Sequence, residues 1–211
     1  MKTDKLFKSF LVLIVINLLN SCISNKEDNY ILYEEFETNE IGWIEEQTDF
    51  HFLEIKNGEY YIHSKDTSSA RSSSGSKADW YLYGLPKQYE IKTSIKTSDI
   101  SKEKTHFGLI LYSPTIEYLF IIYTNGDLIV SEYDYNSEKY KNLLAKNLEI
   151  SLSDPIELSI IINDMEFIMK INDKKIGNGT FKTKTSSWND LRLFTSSESA
   201  ILVDYLKIKR Q

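Results

Sequence analysis

Across 211 residues, 31 acidic side chains outnumber 25 basic ones, a net charge of −6 that does not suit binding nucleic acid or anionic lipid by diffuse charge alone. A hydrophobic fraction of 41%, with 13% aromatic, is enough for one domain with a sizeable core and excludes a disordered chain. The single cysteine excludes a disulfide framework.

The N-terminus reads as an export signal. Lys2, Lys5 and Lys8 make a positive start, Phe10–Ile16 is an unbroken apolar run, and small Ser21 precedes Cys22. A membrane-spanning helix needs about 20 apolar residues, and Asn17 and Asn20 fall inside the span it would require. Leu19-Asn20-Ser21-Cys22 resembles the lipobox of bacterial lipoproteins, with Asn20 as its one departure. That resemblance implies cleavage before Cys22 and lipid modification of that residue, which becomes the mature N-terminus. Two or more acyl chains would hold a soluble domain at a bilayer, because each buried methylene contributes about 0.8 kcal/mol. Lys26-Glu27-Asp28 resembles the tether that sends some outer-membrane lipoproteins to the cell surface, although a solvated linker reads the same way. The expected organisation is a signal peptide over 1–21, a lipidated tether over 22–29 and one domain over 30–211, located in the cell envelope.

From Tyr30 onward the apolar residues recur with period two. Asn57-Gly58 and Asn125-Gly126, each between β-rich flanks, predict tight hairpins. The polar run 66–77, DTSSARSSSGSK, reads as a loop. Along 89–98, Tyr89, Ile91 and Ile95 share one face, and Glu90, Lys92, Ser94 and Lys96 the other. HFGLILY (106–112) and EYLFIIY (117–123) are apolar on both faces, which predicts central strands covered on each side or lining a groove. SEKYKNLLAKNLE (137–149) is the best helix candidate, worth a turn or two. Ile156, Leu158, Ile160 and Ile162 align with Met165, Phe167, Met169 and Ile171 across another hairpin. Pro86, Pro114 and Pro155 all fall between strand candidates. About a dozen short strands separated by turns predict an all-β chain in two packed antiparallel sheets.

The order of features resembles the concanavalin A-like lectin/glucanase superfamily in its laminin-G-like form. It runs from Phe36 and Gly42-Trp43 through Asn57-Gly58-Glu59-Tyr60 to Phe107-Gly108-Leu109-Ile110. Tyr118-Leu119-Phe120, Asn125-Gly126, Ile171-Asn172-Asp173 and Val203-Asp204-Tyr205-Leu206-Lys207-Ile208 complete it, so the resemblance covers roughly residues 30–209. It implies a jelly-roll sandwich, and many members bind glycans on the concave sheet or its rim while some hydrolyse them.

Catalytic members carry Glu-x-Asp-x-x-Glu on one strand, and that pattern is absent here. Glu132 and Asp134 have the i, i+2 spacing that puts two acids on one face of a strand, but a solvated sheet edge explains them as well. His51, His63 and His106 are far apart and read as packing or surface residues. No cofactor is expected. Asp134-Tyr135-Asn136-Ser137-Glu138 alternates oxygen side chains without the glycine of a calcium loop, which leaves room for a structural calcium with no ligands assigned.

Aromatic side chains remain: 14 tyrosines and three tryptophans are a heavy load for one domain, and both types stack on sugar faces. The candidate ligand-binding residues are Trp80, Tyr83, Tyr112, Tyr118, Tyr123, Tyr133 and Trp188, weighed against cross-strand packing. Cys22 is the candidate lipidation site. The expected function is non-catalytic carbohydrate binding by a membrane-anchored lipoprotein, for glycan capture or adhesion. A glycoside hydrolase of the same fold and a protein-binding envelope or immunity lipoprotein are the alternatives. Nucleic acid is not an expected partner.

Overall fold

The computed structural model describes residues 29–65, 72–75, 85–98, 105–149, 152, 154–183, 190–196 and 198–211. Residues 1–21, read as a signal peptide, and Cys22, Trp80, Tyr83 and Trp188 lie outside the described residues.

In chain order the strands are β1 (Tyr30–Glu34), β2 (Glu46–Gln47), β3 (His51–Lys56), β4 (Glu59–Ser64) and β5 (Ser72–Gly75). They continue as β6 (Gln88–Thr97), β7 (His106–Tyr112), β8 (Ile116–Tyr123), β9 (Asp127–Asp134) and β10 (Lys139–Asn147). The last five are β11 (Ile156–Asn163), β12 (Glu166–Ile171), β13 (Lys174–Thr180), β14 (Asp190–Thr195) and β15 (Ala200–Arg210). A nine-stranded sheet has the order β13-β12-β11-β6-β15-β4-β3-β2, with β1 also paired to β15, and a six-stranded sheet has the order β10-β9-β8-β7-β14-β5. Every pairing is antiparallel, and together the two sheets make an all-β jelly-roll sandwich.

Alternation decides which residues fill the space between the sheets. Phe107, Leu109 and Leu111 from β7, and Phe120 and Ile122 from β8, meet Ile91, Ile160, Phe167 and Val203 of the larger sheet in one buried core. Phe120 and Phe167 touch edge to face across it, with ring centroids 5.8 Å apart. Ile160 pairs with Met169 and Ile162 with Phe167, so the β11–β12 hairpin aligns its apolar faces as the sequence predicts. Asn57 and Gly58 form a two-residue turn with φ of 55° and 75°, which suits the right-handed twist of β3 and β4. Trp43 belongs to the core, where it packs against the stacked rings of Phe36 and Tyr60 and its Nε1 donates to the buried Glu34 carboxylate at 3.3 Å.

Two expectations are corrected. Residues 139–147 of the helix candidate form β10, because Tyr140, Asn142 and Ala145 pair in register with Tyr133, Ser131 and Ile129. The backbone ladder to β9 outweighs a weak helical preference. Within the polar run read as a loop, Ser72–Gly75 form β5 and pair with β14. An edge strand gains its ladder from the backbone and needs no apolar alternation.

Candidate functional site

The outer face of the six-stranded sheet holds a second apolar cluster. Residues that point away from the core on adjacent strands stand opposite one another. One row runs Asp190–Tyr112–Glu117–Tyr133–Tyr140, and the next Arg192–Ile110–Leu119–Ser131–Asn142. A third runs Phe194–Gly108–Ile121–Ile129–Ala145. Ile110, Leu119, Ile121 and Phe194 are buried there, with Tyr112, Tyr123 and Tyr133 packed against them half-buried. This is why β7 and β8 are apolar on both faces: each serves two clusters.

Above this cluster lies an open groove of about 320 Å³. Leu119, Ile121 and Ile129 line it with Tyr123, Tyr140, Ser131, Asn142 and His106. Tyr140 is 60% exposed and lies with its ring centroid 4.5 Å from that of Tyr133, whose ring meets Tyr135 edge-on at 5.0 Å. His106 sits between Tyr123 and Phe194, at 5.1 and 5.9 Å.

A charged group occupies the end of the face beside Tyr112. The Arg192 guanidinium carbon lies 4.3 Å above the Tyr112 ring, and its Nε donates to Asp190 Oδ2 at 2.7 Å. Burial opposes its charge, but the Asp190 hydrogen bond and the neighbouring carboxylates, Glu117 among them, raise its pKa above the ordinary arginine value. Glu117 is only 4% exposed, and its Oε2 accepts the Tyr135 hydroxyl at 2.7 Å. The arrangement offers flat apolar ring faces beside fixed hydrogen-bond donors and acceptors.

Of the candidates read from sequence, Tyr112, Tyr123 and Tyr133 converge on this face. Tyr118 does not. It points the other way, is fully buried in the core against Phe181, and its hydroxyl accepts the backbone N–H of Lys182 and Thr183, each at 3.0 Å. Burial raises its pKa. A neighbour in sequence to groove residues on an alternating strand must face the opposite way, and no ligand reaches it. Glu132 and Asp134 also leave the groove face: Glu132 stands in register between Tyr118 and Lys141, and Asp134 is paired with Lys182. Residues 135–138 form the β9–β10 turn, with the Asp134 carboxylate accepting the N–H of Asn136 at 2.9 Å. Among the described residues no group of three or more His, Cys, Asp or Glu is arranged to hold a metal ion.

Tyr135, Tyr140, Glu117, Asp190 and Arg192 were not among the sequence candidates. Period-two alternation from Tyr112 and Tyr133 carries to Arg192 and Tyr140 only when β14 and β10 are known to be their neighbours.

No known family profile and no curated protein sequence matches the chain. Solved structures do. A carbohydrate-binding module, CBM66 from Bacillus subtilis, matches with a TM-score of 0.59 at 11% identity, covering 80% of this chain and 95% of that one. The catalytic domain of an endo-1,3-β-glucanase (laminarinase) from Thermotoga petrophila matches at 0.62 and 9% identity, covering 86% and 97%. The galectin LEC-6 of Caenorhabditis elegans matches at 0.50 and 8%, covering 71% and 96%. With the sheet order and pairing above, these likenesses identify the fold: the chain is a two-sheet jelly-roll sandwich like those of the carbohydrate-binding module, the laminarinase and the galectin.

Proposed function

We propose that this protein is a lipid-anchored envelope lipoprotein that binds a glycan on the outer face of its six-stranded sheet without cleaving it. One observation carries the reading: Tyr123 and Tyr140, the latter packed against Tyr133, line a groove whose floor is apolar around Ser131 and whose polar lining includes Asn142 and His106. A sugar ring has an apolar C–H face and a polar edge, and such a groove matches both. Tyr123 and Tyr140 provide faces for stacking, Asn142 and Ser131 reach hydroxyls, and the Arg192–Asp190 pair beside Tyr112 adds a fixed donor and acceptor. The neighbouring folds described as a carbohydrate-binding module and a galectin support a glycan as the ligand class. Cys22 would hold the domain at the membrane.

A glycoside hydrolase is the second reading, favoured by Glu117 and Asp190 standing on one face with only Tyr112 between them. Two strand spacings put their backbones about 9–10 Å apart, wider than the close carboxyl pair of a retaining enzyme and with room for a water between them. Both carboxylates are already engaged, Glu117 by Tyr135 and Asp190 by Arg192, whereas a general acid must carry a proton to give. Binding is therefore the better account.

A glycan array probed with the purified protein tests it. Retention of a glycan subset with no release of reducing ends is expected. Release that is lost in Glu117→Gln, which keeps its shape, would instead establish the hydrolase.

A further inference from the structure

The outer face of the nine-stranded sheet points away from the groove and has a different chemistry. One row runs in register across six strands as Tyr33–Lys207–Lys92–Ser159–Lys170–Lys175, four lysines in six positions. Lys92 is neutralised locally by Glu157 at 2.6 Å and Asp173 at 3.6 Å. Lys170 and Lys175 are register partners beside a bulge, like charge near like, and neither has an ion pair among the described residues. Such a cross-strand pair disfavours the fold unless an anion approaches from outside.

Aromatic residues gather at the β1 end of the row. Lys207 Nζ lies 4.5 Å from the Tyr33 ring centroid and Lys209 Nζ 5.2 Å from that of Tyr30. Tyr30 and Tyr33 stack at 5.1 Å, and Ile31 and Tyr33 are exposed. Tyrosine rings with lysine amines beside them are the chemistry of a membrane–water interface, where the ring sits at headgroup level and the amine meets phosphate.

β1 is also where the chain enters the domain. Only seven residues separate Cys22 from Tyr30, so the linking chain spans at most about 26–29 Å when fully extended.

We infer that the outer face of the nine-stranded sheet, led by Tyr30 and Tyr33 on β1, docks on the phosphate layer of the bilayer that carries the acyl chains of Cys22. The inference rests on the lipid-anchor reading. The acidic chain as a whole does not need to be drawn to the membrane, because the anchor supplies a high local concentration and the lysine row needs only to orient the domain. Since the two outer faces of a sandwich point in opposite directions, this docking turns the groove lined by Tyr123 and Tyr140 away from the membrane, toward ligands in solution.

The test uses the lipidated protein, confirmed by intact mass, in vesicles of phosphatidylethanolamine and phosphatidylglycerol. Lysine acetylation is followed by mass spectrometry, with the detergent-solubilised protein as reference. Lys170, Lys175, Lys207 and Lys209 should be acetylated at least fivefold more slowly on vesicles, while Lys139 and Lys146 on β10 keep their rates. In a K170E/K175E/K207E variant, still anchored, Lys209 should recover its detergent rate. Uniform labelling of anchored protein would overturn the docking and leave the anchor standing. An intact mass without acyl chains would remove both.

Discussion

The hydroxyl of Tyr118 accepts two backbone N–H groups in the sandwich interior, whereas Tyr140, two strands away on the same sheet, leaves more than half its surface in solvent. The difference comes from pleat parity. Tyr118→Phe strips the backbone N–H groups of Lys182 and Thr183 of their shared acceptor and should cost about 0.5–1.5 kcal/mol. For a domain of this size that lowers the melting temperature by roughly 2–4 °C per kcal/mol, and it should leave glycan affinity unchanged. Tyr140→Ala should do the reverse, with stability within about 0.5 kcal/mol of the parent and affinity reduced roughly three- to tenfold for a lost stacking face. Thermal unfolding and titration calorimetry on the two variants separate the roles. A Tyr140 variant that unfolds early while binding normally would make it a packing residue. Tyr205 offers a spectroscopic check, since burial and its hydrogen bond to the Glu157 carboxylate raise its pKa well above the ordinary tyrosine value. In an ultraviolet pH titration it should ionise after the exposed tyrosines, and Tyr205→Phe should shrink that late component, to which Tyr61 and Tyr118 also contribute.

At the scale of strands and hairpins, legibility follows how much a signal depends on local chemistry. The Asn57-Gly58 turn and the β11–β12 hairpin follow from residues adjacent in sequence, and both occur as predicted. Residues 139–147 were harder, because KYKNLLAKN has no clean alternation and a bulge between Asn142 and Leu144 breaks its period. β5 is built of serines and glycine, so only its partner β14 identifies it as a strand. Gly108 shows a constraint invisible in sequence: a Cβ there would lie 1.8 Å from the carbonyl oxygen of Phe120 on β8. Neither strand can retreat without breaking a ladder shared with β9 and β14, so Gly108→Ala should cost more than about 3 kcal/mol and leave little soluble protein. Recovery of a variant as stable as the parent would contradict that packing. Farther along, the ends of the β9–β10 hairpin depend on acidity. The amides of Asn147 and Asn125 hold the Asp127 carboxyl below the ordinary range, and the Lys182 ammonium does the same for Asp134. A lowered folded pKa adds stability that is complete above the unfolded value near 4 and disappears as pH falls through the folded value. Between about pH 5 and pH 2 the Asp127→Asn/Asp134→Asn double variant should therefore lose less stability than the parent, and an identical decline would show that neither carboxylate contributes.

The whole molecule has two outer faces with different chemistry, and the sequence makes one of them more readable than the other. Strands β7 and β8 are apolar on both sides, so their residue pattern alone announces a second cluster beyond the core. The assembly of Tyr112, Tyr133, Tyr140 and Arg192 into one face depends instead on pairing between strands distant in sequence, as does the lysine row from Lys207 to Lys175. Side-chain pattern within a strand reports which face is apolar. It does not report which strand lies alongside, and sites on sheets are made of neighbours. The account rests on the groove of the six-stranded sheet being the binding surface. Titration of the parent protein and of a Tyr133→Ala/Tyr140→Ala variant with the glycan it retains on an array measures this directly. The account predicts at least a tenfold loss of affinity with the unfolding transition displaced by no more than a few degrees; undiminished binding by a folded double variant would contradict it.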